Sequence, residues 1–390
     1  MGFSIKTYNQ IAERGLARLA QQDILCVESL DRADAILLRS EKLHGVDFPP
    51  SVRAIARAGA GVNNIPVELC SARGIAVFNT PGANANAVKE LVICSLLLSS
   101  RGILPGIQFA REQAVDDRAA LHALMEKQKK QFAGNELFGK TLGIVGLGAI
   151  GSMVAEVALG LGMKVVGYDP ALSVEAAWRL PNQVERMEGL NNLLSVSDYV
   201  TLHVPAIEAT LNLINADNLP AFKPGAVLVN FAREAIVDYK AVLNALDSGP
   251  IRHYICDFPE PAFRNRQDVT AMPHIGASTQ EAEENCAVMA AEQLADYLLN
   301  GNIKNAVNLP EVSMPRVPNT RRLTFINDNV AGVLGQVLSV LAEQSFNVVD
   351  MMNKSHGDVA YNIIDMEGDV PENIEFLIGQ IEHVTSVRLI

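Results

Sequence analysis

The chain has 390 residues, 49% hydrophobic and 19% charged, enough for two or three globular domains with substantial cores. A formal charge of −12 excludes a general nucleic-acid binder, which needs a basic face, but permits a local arginine cluster around a small anion. The five cysteines show no CxxC or Cys/His ligand spacing and the N-terminus MGFSIKTYNQ shows no signal-peptide pattern, so no metal and a cytoplasmic location are expected.

In chain order, ILCV (24–27), DAILLRS (34–40), AIARAG (54–59) and IAVFNT (75–80) read as short buried strands, with helical patterns such as YNQIAERGLARLA between them. That alternation predicts an α/β domain with a parallel sheet. A helix is expected from about Asn86, carrying Lys89 to Arg101. Its apolar part, Leu91 to Leu104, is interrupted by Arg101 and too short to span a bilayer, so no membrane partner is expected. A polar stretch from Arg111 to Phe138 follows.

The next segment, LGIVGLGAIG (142–151), is the most informative of the chain. Gly146-x-Gly148-x-x-Gly151 follows an apolar strand and opens the helix pattern SMVAEVALGLG. The first glycine permits a tight turn, the second lets backbone approach a pyrophosphate, and the third allows close helix–strand packing. Asp169 lies 18 positions after Gly151, at the end of KVVGY. A carboxylate there accepts from ribose hydroxyls and repels a 2′-phosphate, which argues for NAD over NADP. Strict βα alternation continues through strands at 199–205, 226–233, 253–258 and 269–276. Three segments stand at ends of these strands, where open α/β sheets bind ligands. They are NFAR with Arg233, DFPEP with Asp257 and Glu260, and MPHIGAST with His274. A histidine oriented by a carboxylate suits proton transfer during hydride chemistry, and an arginine suits a substrate carboxylate.

A long helix, Thr279 to Gly301, is expected to return the chain to the first domain, so that the dinucleotide domain is an insertion. Pro310, Pro315 and Pro318 suggest an extended linker. The last part reads strand–helix–strand–strand–helix–strand, a ferredoxin-like plan. The expected fold is therefore two doubly wound parallel-sheet, Rossmann-like domains, one inserted in the other, plus a C-terminal βαββαβ domain. The expected boundaries are 1–95 with 283–310, 96–282, a linker at 311–319, and 320–390.

The segments RAGAGVNNIP, FNTPGANANAVKELV, GKTLGIVGLGAIG, LHVP, FKPGAVLVNFAR and MPHIGASTQEAEEN resemble the D-isomer-specific 2-hydroxyacid dehydrogenases. The tail RRLTFINDNVAGVLGQVLSVLAEQSFNV resembles an ACT-type amino-acid-sensing domain. This layout implies oxidation of 3-phospho-D-glycerate with NAD, the entry reaction of L-serine biosynthesis. The alternatives are another D-2-hydroxyacid as substrate, or an NAD-sensing binding protein of the same fold. The resemblance implies Arg233, Glu260 and His274 as the catalytic set. It implies an NAD site from Gly146, Gly148, Ala149, Ile150, Gly151, Asp169, His203, Pro205, Phe231, Ala232, Arg233, Asp257, His274 and Gly276, with Asp257 on the nicotinamide carboxamide. It implies a substrate site from Arg39, Ser40, Ala60, Gly61, Val62, Asn84 and Arg233. Compared with the family, the run from Asp257 to Glu260 is two residues shorter, which leaves Asp268 as an alternative partner for His274. In the tail, Asn327 and Ala331 replace the family's usual histidine and proline. L-serine is the expected effector, held by Asn329 and Asn347, and a homodimer or homotetramer is the expected assembly.

Overall fold

The computed structural model describes residues 2–368, 371 and 373–390. The chain folds as two compact units, Met1–Asn84 with Gln280–Ile390, and Ala85–Thr279. The insertion therefore spans 85–279, against the expected 96–282, because the helix expected near Asn86 already opens the inserted unit.

The first unit begins with β1 (Ser4–Thr7), α1 (Glu13–Ala20), β2 (Leu25–Val27), β3 (Ala35–Leu38), β4 (Ala54–Arg57), α2 (Val67–Ala72) and β5 (Ala76–Phe78). They form an all-parallel sheet of order β2-β1-β3-β4-β5. β3 and β5 are buried throughout. Such strands, covered on both faces, read as unbroken apolar runs. β1 escapes the sequence reading because in Ser-Ile-Lys-Thr only Ile5 is buried.

The inserted unit contains α3 (Ala85–Ser100), α4 (Ile103–Glu112), α5 (Arg118–Gln128), β6 (Thr141–Val145), α6 (Ala149–Gly160), β7 (Lys164–Tyr168), α7 (Val174–Ala177), β8 (Glu185–Arg186), α8 (Leu190–Val196), β9 (Tyr199–Leu202), β10 (Ala226–Asn230), α9 (Tyr239–Ser248), β11 (Ile251–Cys256) and β12 (Val269–Ala271). Its seven strands are all parallel, in the order β12-β11-β10-β9-β6-β7-β8. The order reverses where β6 neighbours β9, and the loops leaving these two strands flank that switch point. One core packs α3 and α6 on one face of the sheet, and a second packs α8 and α9 on the other.

The chain re-enters the first unit through α10 (Gln280–Asn300), then forms β13 (Arg321–Asp328), α11 (Val333–Glu343), β14 (Asn347–His356), β15 (Val359–Glu367), α12 (Asn373–Gly379) and β16 (Val384–Leu389). The tail sheet is antiparallel, in the order β14-β15-β13-β16. Glu372, expected to open the last helix, lies outside the described residues. One sheet face packs on α11 and α12. The other brings Ile326, Tyr361 and Ile363 into one core with Leu294, Tyr297 and Leu298 of α10. The proline-rich segment, expected as an extended linker, packs on the first unit. Val312 and Met314 are buried, and Val312 exchanges backbone hydrogen bonds with Ile303.

Candidate active site

The glycine loop shows the tight turn and the close helix–strand packing that its spacing suggests. Gly146 has φ +91°, and a Cβ there would lie 2.5 Å from the His203 carbonyl oxygen. A Cβ on Gly151 would lie 2.0 Å from the Gly146 carbonyl, so only glycine lets α6 pack on β6. Gly148 caps α6 and faces open space. Among the described residues, the N–H groups of Ala149 and Ile150 find no acceptor, as the first turn of a helix leaves them. Asp169 is fixed beneath the loop, its two carboxylate oxygens accepting the N–H of Leu147 (2.9 Å) and of Ala171 (3.0 Å). His203, at the end of β9, contacts Thr201 Oγ1 through Nε2 at 3.0 Å. Burial pushes its imidazole down to about 3, so the ring is neutral. Its Nδ1 is buried without a partner among the described residues.

Arg233 follows β10. Its Nη1 donates to the Ala232 carbonyl at 2.6 Å, and among the described residues it pairs with no carboxylate. Asn230, wholly buried at the end of β10, holds this turn: its Nδ2 donates to the Arg233 carbonyl (2.8 Å) and its Oδ1 accepts from the Ala232 N–H (3.1 Å). His274 follows β12 with φ +57°, a left-handed conformation that is uncommon outside glycine. Its N–H donates to the Asp257 carbonyl at 3.0 Å. The Asp257 side chain, 2% exposed, accepts the N–H of Ile275 (2.8 Å) and of Gly276 (2.6 Å).

Glu260 stands apart from this arrangement. Among the described residues its side chain makes no hydrogen bond or ion pair, to His274 or to any other group. It lines a cavity of about 210 Å³ with Glu234, Tyr239, Tyr254, Phe258 and Phe263. Phe258 both lines that cavity and packs its ring edgewise on His274, with centroids 5.1 Å apart. On this face His274 meets the Phe258 ring and, among the described residues, no hydrogen bond from Glu260. Asp268 is not the substitute: it grips Arg266 through both oxygens, at 2.8 and 2.5 Å. That pairing holds its carboxyl below the usual range.

In the first unit, Arg39 and Ser40 follow β3, and the Ala60–Val62 loop follows β4. Asn9 Oδ1 accepts the N–H of Ser40 at 2.8 Å and so fixes the first turn. Asn79 Nδ2 donates to the Ala60 carbonyl at 2.6 Å and fixes the second. Among the described residues, the N–H groups of Ala60, Gly61 and Val62 have no acceptor, a concave set of donors suited to an anion. Arg39 pairs with Glu283 at 2.6 Å, both side chains half exposed. Asn84 is half-buried just ahead of α3.

Residues 96–276 match the family model described as the D-isomer specific 2-hydroxyacid dehydrogenase, NAD binding domain. A D-3-phosphoglycerate dehydrogenase of Escherichia coli (strain K12) is 35% identical over 356 residues, 88% of this chain and 82% of that one. One from Haemophilus influenzae is 33% identical over 333 residues, 83% of this chain and 77% of that one. The chain belongs to the D-isomer-specific 2-hydroxyacid dehydrogenase family. A solved structure of cofactor (NAD+)-bound 3-phosphoglycerate dehydrogenase from Entamoeba histolytica matches 79% of this chain and 99% of that one, with 27% identity and a TM-score of 0.61.

The chain is an NAD-dependent oxidoreductase. Its residues fit the cofactor: Gly148 leaves a cradle that a side chain would fill, and among the described residues the N–H groups of Ala149 and Ile150 have no acceptor and His203 Nδ1 is buried without a partner. Two residues escape the sequence reading. Asn230 is a wholly buried amide ending the apolar strand Ala-Val-Leu-Val-Asn, a signal that was available. Arg57, at the end of β4, donates from Nε to the Arg39 carbonyl at 2.8 Å and lies beside Gly59. Its place at a strand end was the available signal.

Proposed function

We propose that this dehydrogenase oxidises 3-phospho-D-glycerate to 3-phosphohydroxypyruvate, the first step of L-serine biosynthesis. The observation that carries the reading is the Arg233 guanidinium, which pairs with no carboxylate among the described residues, and the His274 imidazole, on loops leaving the same end of the NAD-binding sheet. Similarity to relatives named for this reaction over most of the chain supports the substrate.

Bound NAD supplies the hydride acceptor. His274 takes the proton of the C2 hydroxyl, a role that suits a group whose ordinary pKa is near neutrality. Arg233 grips the substrate carboxylate with its planar fork and draws electron density from the oxygen at C2 as a carbonyl forms. Within the first unit, the N–H groups of Ala60–Val62, without an acceptor among the described residues, suit an anionic group of the substrate. Arg39 and Arg57 receive the phosphate. An exposed ion pair such as Arg39–Glu283 is worth about 0–1 kcal/mol, so a dianionic phosphate displaces Glu283 at little cost.

Turnover with NAD and 3-phosphoglycerate is the direct test. His274→Ala is expected to lower kcat by about 10²–10⁴-fold. A variant with full turnover removes His274 from the mechanism. Arg39→Ala is expected to raise KM for 3-phosphoglycerate about ten- to a hundred-fold, and to leave unphosphorylated D-glycerate nearly unaffected. An equal effect on both substrates shows that Arg39 does not read the phosphate.

A further inference from the structure

We infer that Asp257 is the positioning residue for His274, with Asn230 anchoring the assembly, and that Asp257 acts through the loop backbone. The inference rests on the reading of His274 as the proton acceptor. His274 adopts φ +57°, and the surroundings must over-determine such a conformation if it is to persist. They do so chiefly through one residue, beside a hydrogen bond from the His274 N–H to the Met272 carbonyl at 3.0 Å. The carboxylate of Asp257 takes the two N–H groups that follow His274, at 2.8 and 2.6 Å, while the Asp257 carbonyl takes the N–H of His274 itself at 3.0 Å. Three consecutive peptide groups thus converge on one residue, which is buried and has no cation partner among the described residues. Hydrogen bonds from backbone N–H groups to a buried carboxylate are stronger than neutral ones, and they are directional.

The staple is tied to Arg233 as well. The Asp257 N–H donates to the Asn230 carbonyl at 3.3 Å, and the Asn230 side chain takes both polar groups of the Ala232–Arg233 turn. Asn230 pairs with Cys256 in the sheet, so both loops hang from adjacent strand ends. Gly276 is part of the device: a Cβ there would sit 2.9 Å from Asp257 Oδ2, in the path of the hydrogen bond. Among the described residues Glu260, the acid expected to orient the imidazole, makes no hydrogen bond or ion pair that could do so.

The test uses the full chain with Asp257→Asn, which keeps the shape and turns one acceptor into a donor facing an N–H. Amide hydrogen exchange at Ile275 and Gly276 is expected to accelerate at least about tenfold, since each loses a charged acceptor. kcat is expected to fall about 10²-fold, as displacement of a reacting group by an ångström does, while KM for NAD changes far less. The same loss is expected with an NAD analogue whose carboxamide is replaced by an acetyl group. A loss that largely disappears with that analogue assigns Asp257 to the cofactor and overturns the inference, as do unchanged exchange rates. Gly276→Ala, which removes no charge, is expected to reproduce both effects and serves if Asp257→Asn does not fold. His274→Ala separates the two readings: full turnover in that variant sinks the acid–base assignment, whereas the exchange rates test the staple alone.

Discussion

At the scale of single residues, the inserted unit carries two histidines that its fold keeps neutral. Burial lowers His203 to about 3, and burial first, then Arg252, lowers His253 to about 4. His253 contacts Thr270 Oγ1 through Nε2 at 2.9 Å. Both folded pKa values lie below the ordinary value near 6.5, so between those pH values the unfolded chain binds more protons. Stability is therefore complete above about pH 6.5 and falls as the pH drops toward 4, by up to about 1.4 kcal/mol per pH unit for each histidine. Urea titrations of His253→Gln across that window are expected to show a shallower slope than the parent protein. Equal slopes would mean that His253 titrates normally in the folded state. NAD affinity gives an independent check on Asp169. Replacing it with Ser is expected to weaken NAD binding and to narrow the preference over NADP, because the repelling carboxylate is gone. A parent protein that already prefers NADP would overturn that role.

At the scale of elements, strong patterning was legible and weak patterning was not. α6, α10, β6 and β10 stand close to where apolar periodicity, the glycine motif and strand composition put them. α5 was hidden because none of its residues is buried, so no apolar stripe marks it. Its Asp117 cap, accepting from the Ala120 N–H at 2.8 Å, was the remaining clue. β12 stops at Ala271, earlier than its apolar run suggests, because the chain turns into the loop that Asp257 holds. The positions of Arg233 and His274 at strand ends were legible, since the βα rhythm fixes them. The separation of Glu260 from His274 was not, because it depends on where the ring of Phe258 packs. The sequence did not reveal how α10 is capped: arginines take its last four carbonyls. Arg388 donates to Tyr297 and Leu298, Arg316 to Leu299 and Arg322 to Asn300, at 2.8 to 3.2 Å. Cations there also suit the helix dipole. Arg388→Leu leaves one of these carbonyls, Leu298, without its partner and is expected to cost about 1–3 kcal/mol, read as a lower urea midpoint. An unchanged midpoint would show that water replaces the guanidinium.

At the scale of the molecule, the tail is part of the first unit's core. Arg322 is fully buried and spends every donor: Nε and Nη2 on Asp365 at 2.7 Å, and the rest on the carbonyls of Asn300, Met314 and Pro315. Arg322→Ala strands the buried Asp365 charge and is expected to destabilise the first unit by about 3–5 kcal/mol. For an amino-acid ligand on this tail, geometry restricts the site. Asn329 sits by the β14–β15 turn, donating from Nδ2 to the Gly357 carbonyl at 3.1 Å. Asn347 stands at the opposite end of the sheet, its Nδ2 on Glu367 at 2.9 Å. The length of β15 separates them, about 25 Å for a strand of this size. One serine molecule cannot touch both within one chain. If L-serine is held by these two amides, each site takes Asn329 from one copy and Asn347 from another, and the bound state is a dimer of tails. Asn329→Ala and Asn347→Ala are each expected to abolish serine binding and inhibition when measured alone. A mixture of the two variants, unfolded and refolded together, forms hybrid dimers in which one site lacks both amides and the other keeps both. Calorimetry of that mixture is expected to recover binding at one site per hybrid dimer. A mixture as silent as its parents, with the unmodified protein binding serine normally, would rule out a site shared between copies.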